Sequence, residues 1–93
     1  MKNTADKKPF SRITIIGVGL IGGSLGLAIK HRFPKITVTG FDKSKVLRRA
    51  LRIGAIDRAE GRLEIAVANA DLVIMAAPIS SILNLLPLVA ALA

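Results

Sequence analysis

The chain has 93 residues, of which 52% are hydrophobic, so it is long enough to form one small domain with a buried core. Its formal net charge is +8 and it contains no cysteine, which excludes a disulfide-stabilised framework. Tyr and Trp are absent and only three Phe are present, so the chain lacks the aromatic side chains on which single-stranded nucleic acids stack.

The N-terminal segment, residues 1–11, is polar and rich in lysine. It contains no apolar stretch of the kind found in secretory signal peptides, and it is too short for a transit peptide. We therefore expect a disordered leader over residues 1–11, one folded domain over residues 12–93, and a location in the cytoplasm.

A glycine-rich turn follows the first predicted strand. The strand, residues 13–17, is apolar and β-branched, as expected for a strand buried on both faces of a parallel sheet. It leads into Gly17-Val18-Gly19-Leu20-Ile21-Gly22, and helical composition starts at Gly23. In such a setting the first glycine permits a tight turn, the second lets backbone N–H groups approach a pyrophosphate, and the third lets helix and strand pack closely.

The alternative for this turn is a glycine-rich connection that binds nothing, because glycines recur in turns for conformational reasons alone. The strand before it, the helix after it and an acidic residue further along favour a dinucleotide site instead. The helix is expected to end in the basic tail Lys30-His31-Arg32, where cations complement the helix dipole. We therefore expect no catalytic role for His31.

The second predicted strand, residues 36–41, ends at Asp42, about 20 residues after the last glycine of the turn. A carboxylate there accepts hydrogen bonds from the ribose hydroxyls of adenosine and favours NAD over NADP. The alternative is that Asp42 only caps the helix that starts near Ser44. Lys43 and Lys45 keep NADP as an alternative cofactor, since a cation beside the acid can pair with a 2′-phosphate.

The next predicted helix runs from Ser44 to about Ile53 and has one apolar and one strongly basic face. Gly54 ends it. The basic face raises nucleic-acid binding as an alternative, but no helix-turn-helix, zinc-finger or RNP-type pattern accompanies the charge. We expect these cations to be solvated and to attract a polyanionic cofactor.

Two short elements are predicted before the third buried strand: an edge strand or a loop near residues 55–58, and one or two helical turns over residues 62–69. The third strand spans residues 72–77 and closes at Pro78, because proline cannot continue a central ladder. The pattern of strands and crossovers predicts an α/β fold of the Rossmann type, with a partial doubly wound parallel sheet in a three-layer α/β/α arrangement. The ligand crevice is expected between the first and third of these strands.

The C-terminal part, residues 63–93, carries only two charged side chains. A helix starting at Ile79 has apolar residues at helical spacing, and we expect Pro87 to kink or break it. A membrane span is the alternative, but polar residues and prolines interrupt the apolar run before it reaches about 18 residues. The strand at 72–77 is expected to be an exposed apolar edge, which predicts self-association.

These motifs, taken together, resemble one family. The sequence is similar to the cofactor-binding half of prephenate and arogenate dehydrogenases in Ile15–Ile29, Gly40-Phe41-Asp42, Gly54-Ala55-Ile56-Asp57, Ala70–Ile74 and Ala76-Ala77-Pro78-Ile79. Each motif alone also occurs in other Rossmann dehydrogenases, including those that act on β-hydroxy acids.

The resemblance implies oxidative decarboxylation of prephenate or arogenate in tyrosine biosynthesis, with hydride transfer to a nicotinamide. It implies NAD as the cofactor, with NADP as the alternative, and these cofactor-binding residues: Gly17, Gly19, Leu20, Ile21, Gly22, Asp42, Lys43, Ala76, Ala77 and Pro78. For Ala76, Ala77 and Pro78, the alternative is that they only end the third strand and contact no cofactor.

In that family the catalytic histidine, in a Gly-x-His-Pro setting, and its partner serine and lysine come later than residue 93. We therefore expect a truncated, NAD(P)-binding module without turnover and without catalytic or metal-ligating residues of its own. The open alternatives are a non-catalytic dinucleotide sensor or interaction module, and the cofactor half of a β-hydroxy acid dehydrogenase. We expect neither nucleic acid nor a membrane as a partner.

Overall fold

The structure, a computed structural model, describes residues 11–92, so the predicted leader lies almost wholly outside the described residues. Four strands and four helices alternate along the chain. In order they are β1 (Arg12–Ile16), α1 (Leu20–Arg32), β2 (Thr37–Phe41), α2 (Ser44–Arg52), β3 (Arg58–Glu60), α3 (Leu63–Val67), β4 (Leu72–Met75) and α4 (Ile79–Leu92).

The four strands form one parallel sheet in the order β3-β2-β1-β4. The central strand β1 pairs with β2, where Ile13 lies opposite Val38, and with β4, where Ile13 lies opposite Leu72. Since β2 and β4 both flank β1, the chain crosses from one side of the first strand to the other. This arrangement confirms the predicted α/β Rossmann-like fold.

The core consists of two clusters, one on each face of the sheet, as strand alternation requires. On one face, Ile15 and Val38 pack with the apolar side of α2, which contributes Leu47 and Ala50. On the other, the fully buried Ile16 packs with α3 and α4. The helices therefore cover both faces and leave the carboxyl ends of the strands accessible.

The first helix starts earlier than the sequence predicted. We expected helix only from Gly23, but α1 begins at Leu20, with Gly19 as its N-cap. The last glycine of the turn, Gly22, therefore lies inside the first helical turn. The boundary was misplaced because glycine has a poor helix propensity, which packing against the sheet overrides.

For residues 55–58 the sequence left an edge strand and a loop open; the structure has a loop up to Asp57, and β3 spans Arg58–Glu60. Ala55 and Ile56 are apolar and buried, but they pack into the core from the connection that follows α2. Burial in a loop thus gave the apolar signal that made a strand one of the two alternatives.

In α4, Pro87 does not end the helix, which continues to Leu92. Proline removes the hydrogen bond to the carbonyl of Leu83. Both residues are exposed, so solvent can hydrogen-bond that carbonyl. Over residues 11–92, no helix is both long and apolar enough to cross a bilayer.

The amino ends of β1 and β4 are joined by Asp71. Its carboxylate accepts hydrogen bonds from the backbone N–H groups of Ser11, at 2.7 Å, and Arg12, at 2.9 Å. Its own N–H donates to the carbonyl of Arg12 at 2.8 Å. The two backbone donors stabilise the ionised carboxylate and lower the pKa of Asp71 from its ordinary value.

Candidate functional site

A cleft of about 730 Å³ opens where the carboxyl ends of β1, β2 and β4 meet. This is the switch point of the strand order, where open α/β sheets bind their ligands. Its lining includes nine of the ten residues predicted to bind a cofactor: Gly17, Gly19, Leu20, Ile21, Asp42, Lys43, Ala76, Ala77 and Pro78. The structure thus brings together groups from three separate parts of the sequence.

Gly17 forms the tight turn that follows β1. Its φ of +91° is in the left-handed region, which residues other than glycine rarely adopt. Its N–H donates to the carbonyl of Phe41 at 2.8 Å, which extends the pairing of β1 with β2. A Cβ placed on Gly17 would lie 2.8 Å from the backbone nitrogen of Ala77, so the turn also needs the space that glycine leaves.

The N-terminus of α1 opens onto the cleft. Its N-cap, Gly19, is exposed, and a Cβ placed there would meet no atom within 4 Å. No side chain caps this helix end, and its first turn contains no acidic residue. The first intrahelical bond runs from Gly23 N–H to Gly19 O at 2.8 Å, so the amides before it have no helical acceptor. Such an end attracts an anion.

Gly22, the tenth predicted residue, is not part of the cleft lining. It is buried below the turn, where a Cβ would overlap the carbonyl oxygen of Gly17. This glycine therefore lets α1 lie directly on the turn and does not face a ligand. The close packing is the role that the third glycine of the fingerprint was predicted to have.

Asp42 is held against the glycine turn. Its Oδ2 accepts a hydrogen bond from Val18 N–H at 2.9 Å, and its Oδ1 accepts one from Lys43 N–H at 2.7 Å. These two bonds fix the plane of a half-buried carboxylate at the cleft. The interpretation of Asp42 as a helix cap is wrong, because the N-cap of α2 is Lys43 and no side chain caps this helix.

The remaining walls of the cleft come from residues that sequence reasoning missed: Ile16, Phe41, Val46, Ser81 and Leu85. The apolar ones belong to the core clusters or pack against them. One sequence signal was available for Phe41, since it directly precedes the acid at the end of β2. For the two residues of α4, only the tertiary placement of that helix identifies them.

His31 is remote from the cleft. It is exposed near the C-terminal end of α1, roughly 17 Å along the helix axis from Leu20. Within residues 11–92 there is no cluster of three or more His, Asp or Glu side chains able to hold a metal ion.

Comparison with known proteins gives a consistent set of relatives. The family model described as the nucleotide-binding domain of prephenate dehydrogenase matches residues 25–92. A prephenate dehydrogenase of Lactococcus lactis subsp. cremoris is 40% identical over 79 residues, which are 85% of this chain and 22% of the relative. A cyclohexadienyl dehydrogenase of Zymomonas mobilis is 42% identical over 73 residues, covering 75% of this chain and 24% of the relative.

A prephenate dehydrogenase of Bacillus subtilis is 39% identical over 75 residues, which are 80% of this chain and 20% of the relative. The chain thus spans between a fifth and a quarter of the length of these curated relatives. The family model begins at residue 25, after the glycine turn, so its match does not rest on that turn.

Proposed function

We propose that the cleft binds NAD, because this chain belongs to the prephenate dehydrogenase family and matches its nucleotide-binding domain. The observation that carries the proposal is the N-terminus of α1, which lies at the cleft without a capping side chain or an acidic residue. A dinucleotide pyrophosphate supplies the anionic acceptors that these first-turn amides lack. Gly19 fits this use, since the space around it is open.

Asp42 supports NAD over NADP. Its carboxylate lies at the cleft and is oriented by the N–H groups of Val18 and Lys43. Each oxygen keeps a second lone pair that can accept from a ribose hydroxyl. A 2′-phosphate at the same place would meet like-charge repulsion, which the exposed ammonium of Lys43 offsets only in part.

Calorimetric titration of the chain with NAD and with NADP tests the proposal. We expect NAD to bind at least about tenfold more tightly, because loss of a charge-assisted hydrogen bond or addition of a repulsion costs about 1.5 kcal/mol or more. Asp42→Asn should weaken NAD binding and narrow the difference between the two cofactors. Glu64→Gln is the matched control, since Glu64 is exposed and does not line the cleft.

A folded sample that binds neither cofactor contradicts the proposal. Equal losses for Asp42→Asn and Glu64→Gln contradict the assignment of Asp42, because a general effect of net charge would then explain both. Circular dichroism of each variant shows whether the fold is retained.

We further propose that this module serves a prephenate-oxidising protein, as the names of its relatives suggest. The chain covers a minor part of those relatives, so we expect no turnover of prephenate with NAD by the 93 residues alone. Absorbance at the nicotinamide band, with a complete relative as the positive control, measures this directly. NADH formation by the isolated chain would contradict the expectation that these 93 residues bind the cofactor without catalysing the reaction. A cytoplasmic location stays a prediction.

A further inference from the structure

A second cavity, of about 210 Å³, lies between the sheet and α3. It shares no lining residue with the cleft described above. Its floor is the face of β1, β2 and β3 that α3 covers, and its roof includes Ile65, Ala66 and Ala68. The volume is smaller than that of most cofactor pockets and suits a small molecule.

Strand register places polar side chains in a row across this floor. Thr14 lies opposite Thr39, and Thr39 lies opposite Arg58. Neighbouring strands are about 4.8 Å apart, so two hydroxyls and the base of a guanidinium-bearing side chain are aligned on one face. The buried Thr14 hydroxyl donates to the carbonyl of Ala66, which leaves its oxygen as an acceptor. Thr39 is half-buried beside it.

The charge around the cavity favours one negative charge in the ligand. Arg12 and Arg58 both line it, and neither belongs to an ion pair within residues 11–92. Glu60 is the acidic residue of the lining, and its carboxylate already accepts a hydrogen bond from Arg62 N–H at 3.2 Å. The charge of Arg12 also acts on the carboxylate of Asp71 and lowers its pKa, so Arg58 is the cation of the lining that remains to pair with a monoanion.

Asn69 closes the cavity at the end of α3. It follows the C-cap residue Ala68, and its φ of 63° is the left-handed conformation in which many helices end with glycine or asparagine. The end of α3 therefore fixes the position of this residue at the cavity. Its side-chain amide adds donors to the hydroxyls and guanidinium groups.

From this combination we infer that the cavity binds a small oxyanion, the carboxylate or phosphate group of a compact ligand. Arg58 and Thr39 supply the charge-assisted and neutral hydrogen bonds, and Arg12 adds a second positive charge at the rim. This inference is independent of the proposed cofactor, because it concerns another face of the sheet and other residues.

The test is a residue-resolved NMR titration of the full chain with sodium acetate and with sodium phosphate, at ionic strength held constant with sodium chloride. We expect saturable shifts of the amides of Thr39, Arg58 and Asn69 with at least one of the two anions. Phosphate bound at the N-terminus of α1 would instead shift the amides of Gly19 and Leu20, so the two sites are separated in one experiment. Acetate binding identifies a carboxylate site, and binding of phosphate alone identifies a phosphate site.

Three variants test whether the anion binds in the cavity. Arg58→Gln should weaken binding of the anion about tenfold, as expected for a lost charge-assisted hydrogen bond. Thr39→Val keeps the side-chain shape and should weaken it about threefold, as expected for a neutral hydrogen bond. Arg52→Gln is the matched control, since it removes the same charge from an exposed position of α2 outside the cavity. It should leave the affinity unchanged.

Shifts at the cavity that stay linear with concentration, or an equal loss for Arg52→Gln and Arg58→Gln, would overturn the inference. Spectral dispersion of each variant reports its fold. If Arg58→Gln proves unfolded, the isosteric Thr39→Val still decides, because an unchanged affinity in that variant also overturns it.

Discussion

At the level of single residues, Gly17 has the tightest requirement at the cleft, because conformation and space both exclude a side chain. Gly17→Ala combines left-handed strain with a contact at 2.8 Å to the backbone of Ala77. We expect it to reduce the free energy of unfolding by about 2 kcal/mol or more. Urea unfolding followed by circular dichroism measures the loss.

Gly19→Ala is the control for that substitution. Gly19 has a φ of −74° and open space around its Cβ position. We expect a smaller loss of stability than for Gly17→Ala, about 1 kcal/mol, since the φ is negative and no atom obstructs the Cβ. Equal destabilisation by the two substitutions would show that the turn tolerates no side chain anywhere and that the left-handed conformation is not the cause.

Asp71 makes stability depend on pH at acidic values. Its pKa is lowered first by the N–H of Ser11 and then by the N–H of Arg12, so the folded state favours the carboxylate. The contribution is therefore fully present above the unfolded pKa, near 3.8, and is lost as the pH falls through the lower folded pKa. The stability difference between the native chain and Asp71→Asn should shrink over this acidic range.

Urea unfolding at several pH values between about 2 and 6 measures that difference. Because an asparagine side chain keeps the shape and one acceptor oxygen of the aspartate, the comparison isolates the charge. Glu64→Gln is measured in the same way for comparison, because the pKa of Glu64 is also lowered, by its own backbone N–H and by Arg62. A gap between the native chain and Asp71→Asn that does not vary with pH would contradict the explanation.

Among the elements, α1 differs from the other helices because the three residues that it buries are all glycines, Gly22, Gly23 and Gly26. Packing therefore relies mainly on the close approach of backbones, and Ile29 adds an apolar side chain against the core. Gly22→Ala should destabilise the fold by about 1–3 kcal/mol or more, because its Cβ would overlap the carbonyl oxygen of Gly17. Thermal unfolding measures the loss.

Gly23→Ala is the matched control on the same helix. A Cβ there would lie 3.4 Å from the carbonyl oxygen of Val18, an ordinary contact. Alanine is the better helix former by about 1 kcal/mol, so we expect this substitution to be neutral or stabilising. If both substitutions destabilise equally, the packing of α1 is tighter throughout than these two contacts indicate.

The order and type of the main elements followed from the sequence because their patterns are strong. The apolar β-branched run before Gly17 and the alternation before Asp42 each specify a strand, and both were found within one residue at each end. Boundaries failed where tertiary packing outweighs local preference. This holds for the start of α1 at Leu20 and for the buried connection at Ala55, which resembles a strand in sequence.

The candidate cleft was predictable in its glycines and in its acid, because a fixed spacing relates them along the chain. Its apolar walls were not, since Val46 and Leu85 belong to different helices that only the fold brings together. The bond from Val18 N–H to Asp42 Oδ2 was also inaccessible to sequence reasoning. It depends on the distance between two loops, which no sequence pattern encodes.

At the scale of the whole molecule, charge and apolar surface are segregated. All fourteen Lys and Arg lie at or before Arg62, whereas residues 63–93 carry only Glu64 and Asp71. The same C-terminal part presents the outer edge of β4 and exposed leucines of α4, including Leu83, which is 69% exposed. Two copies that meet through this face avoid the repulsion between their basic surfaces.

We therefore expect the chain to self-associate through β4 and α4, since an apolar edge strand without a charged side chain invites pairing. Sedimentation velocity should show a mass that rises with concentration, more so at higher salt, where residual repulsion is screened. Leu83→Lys should weaken association about tenfold or more, because burying an unpaired cation is costly. Leu51→Lys, at an exposed leucine of α2 on the opposite face of the sheet from α4, should not. A monomer at all concentrations, or equal effects of the two substitutions, would contradict association through this face.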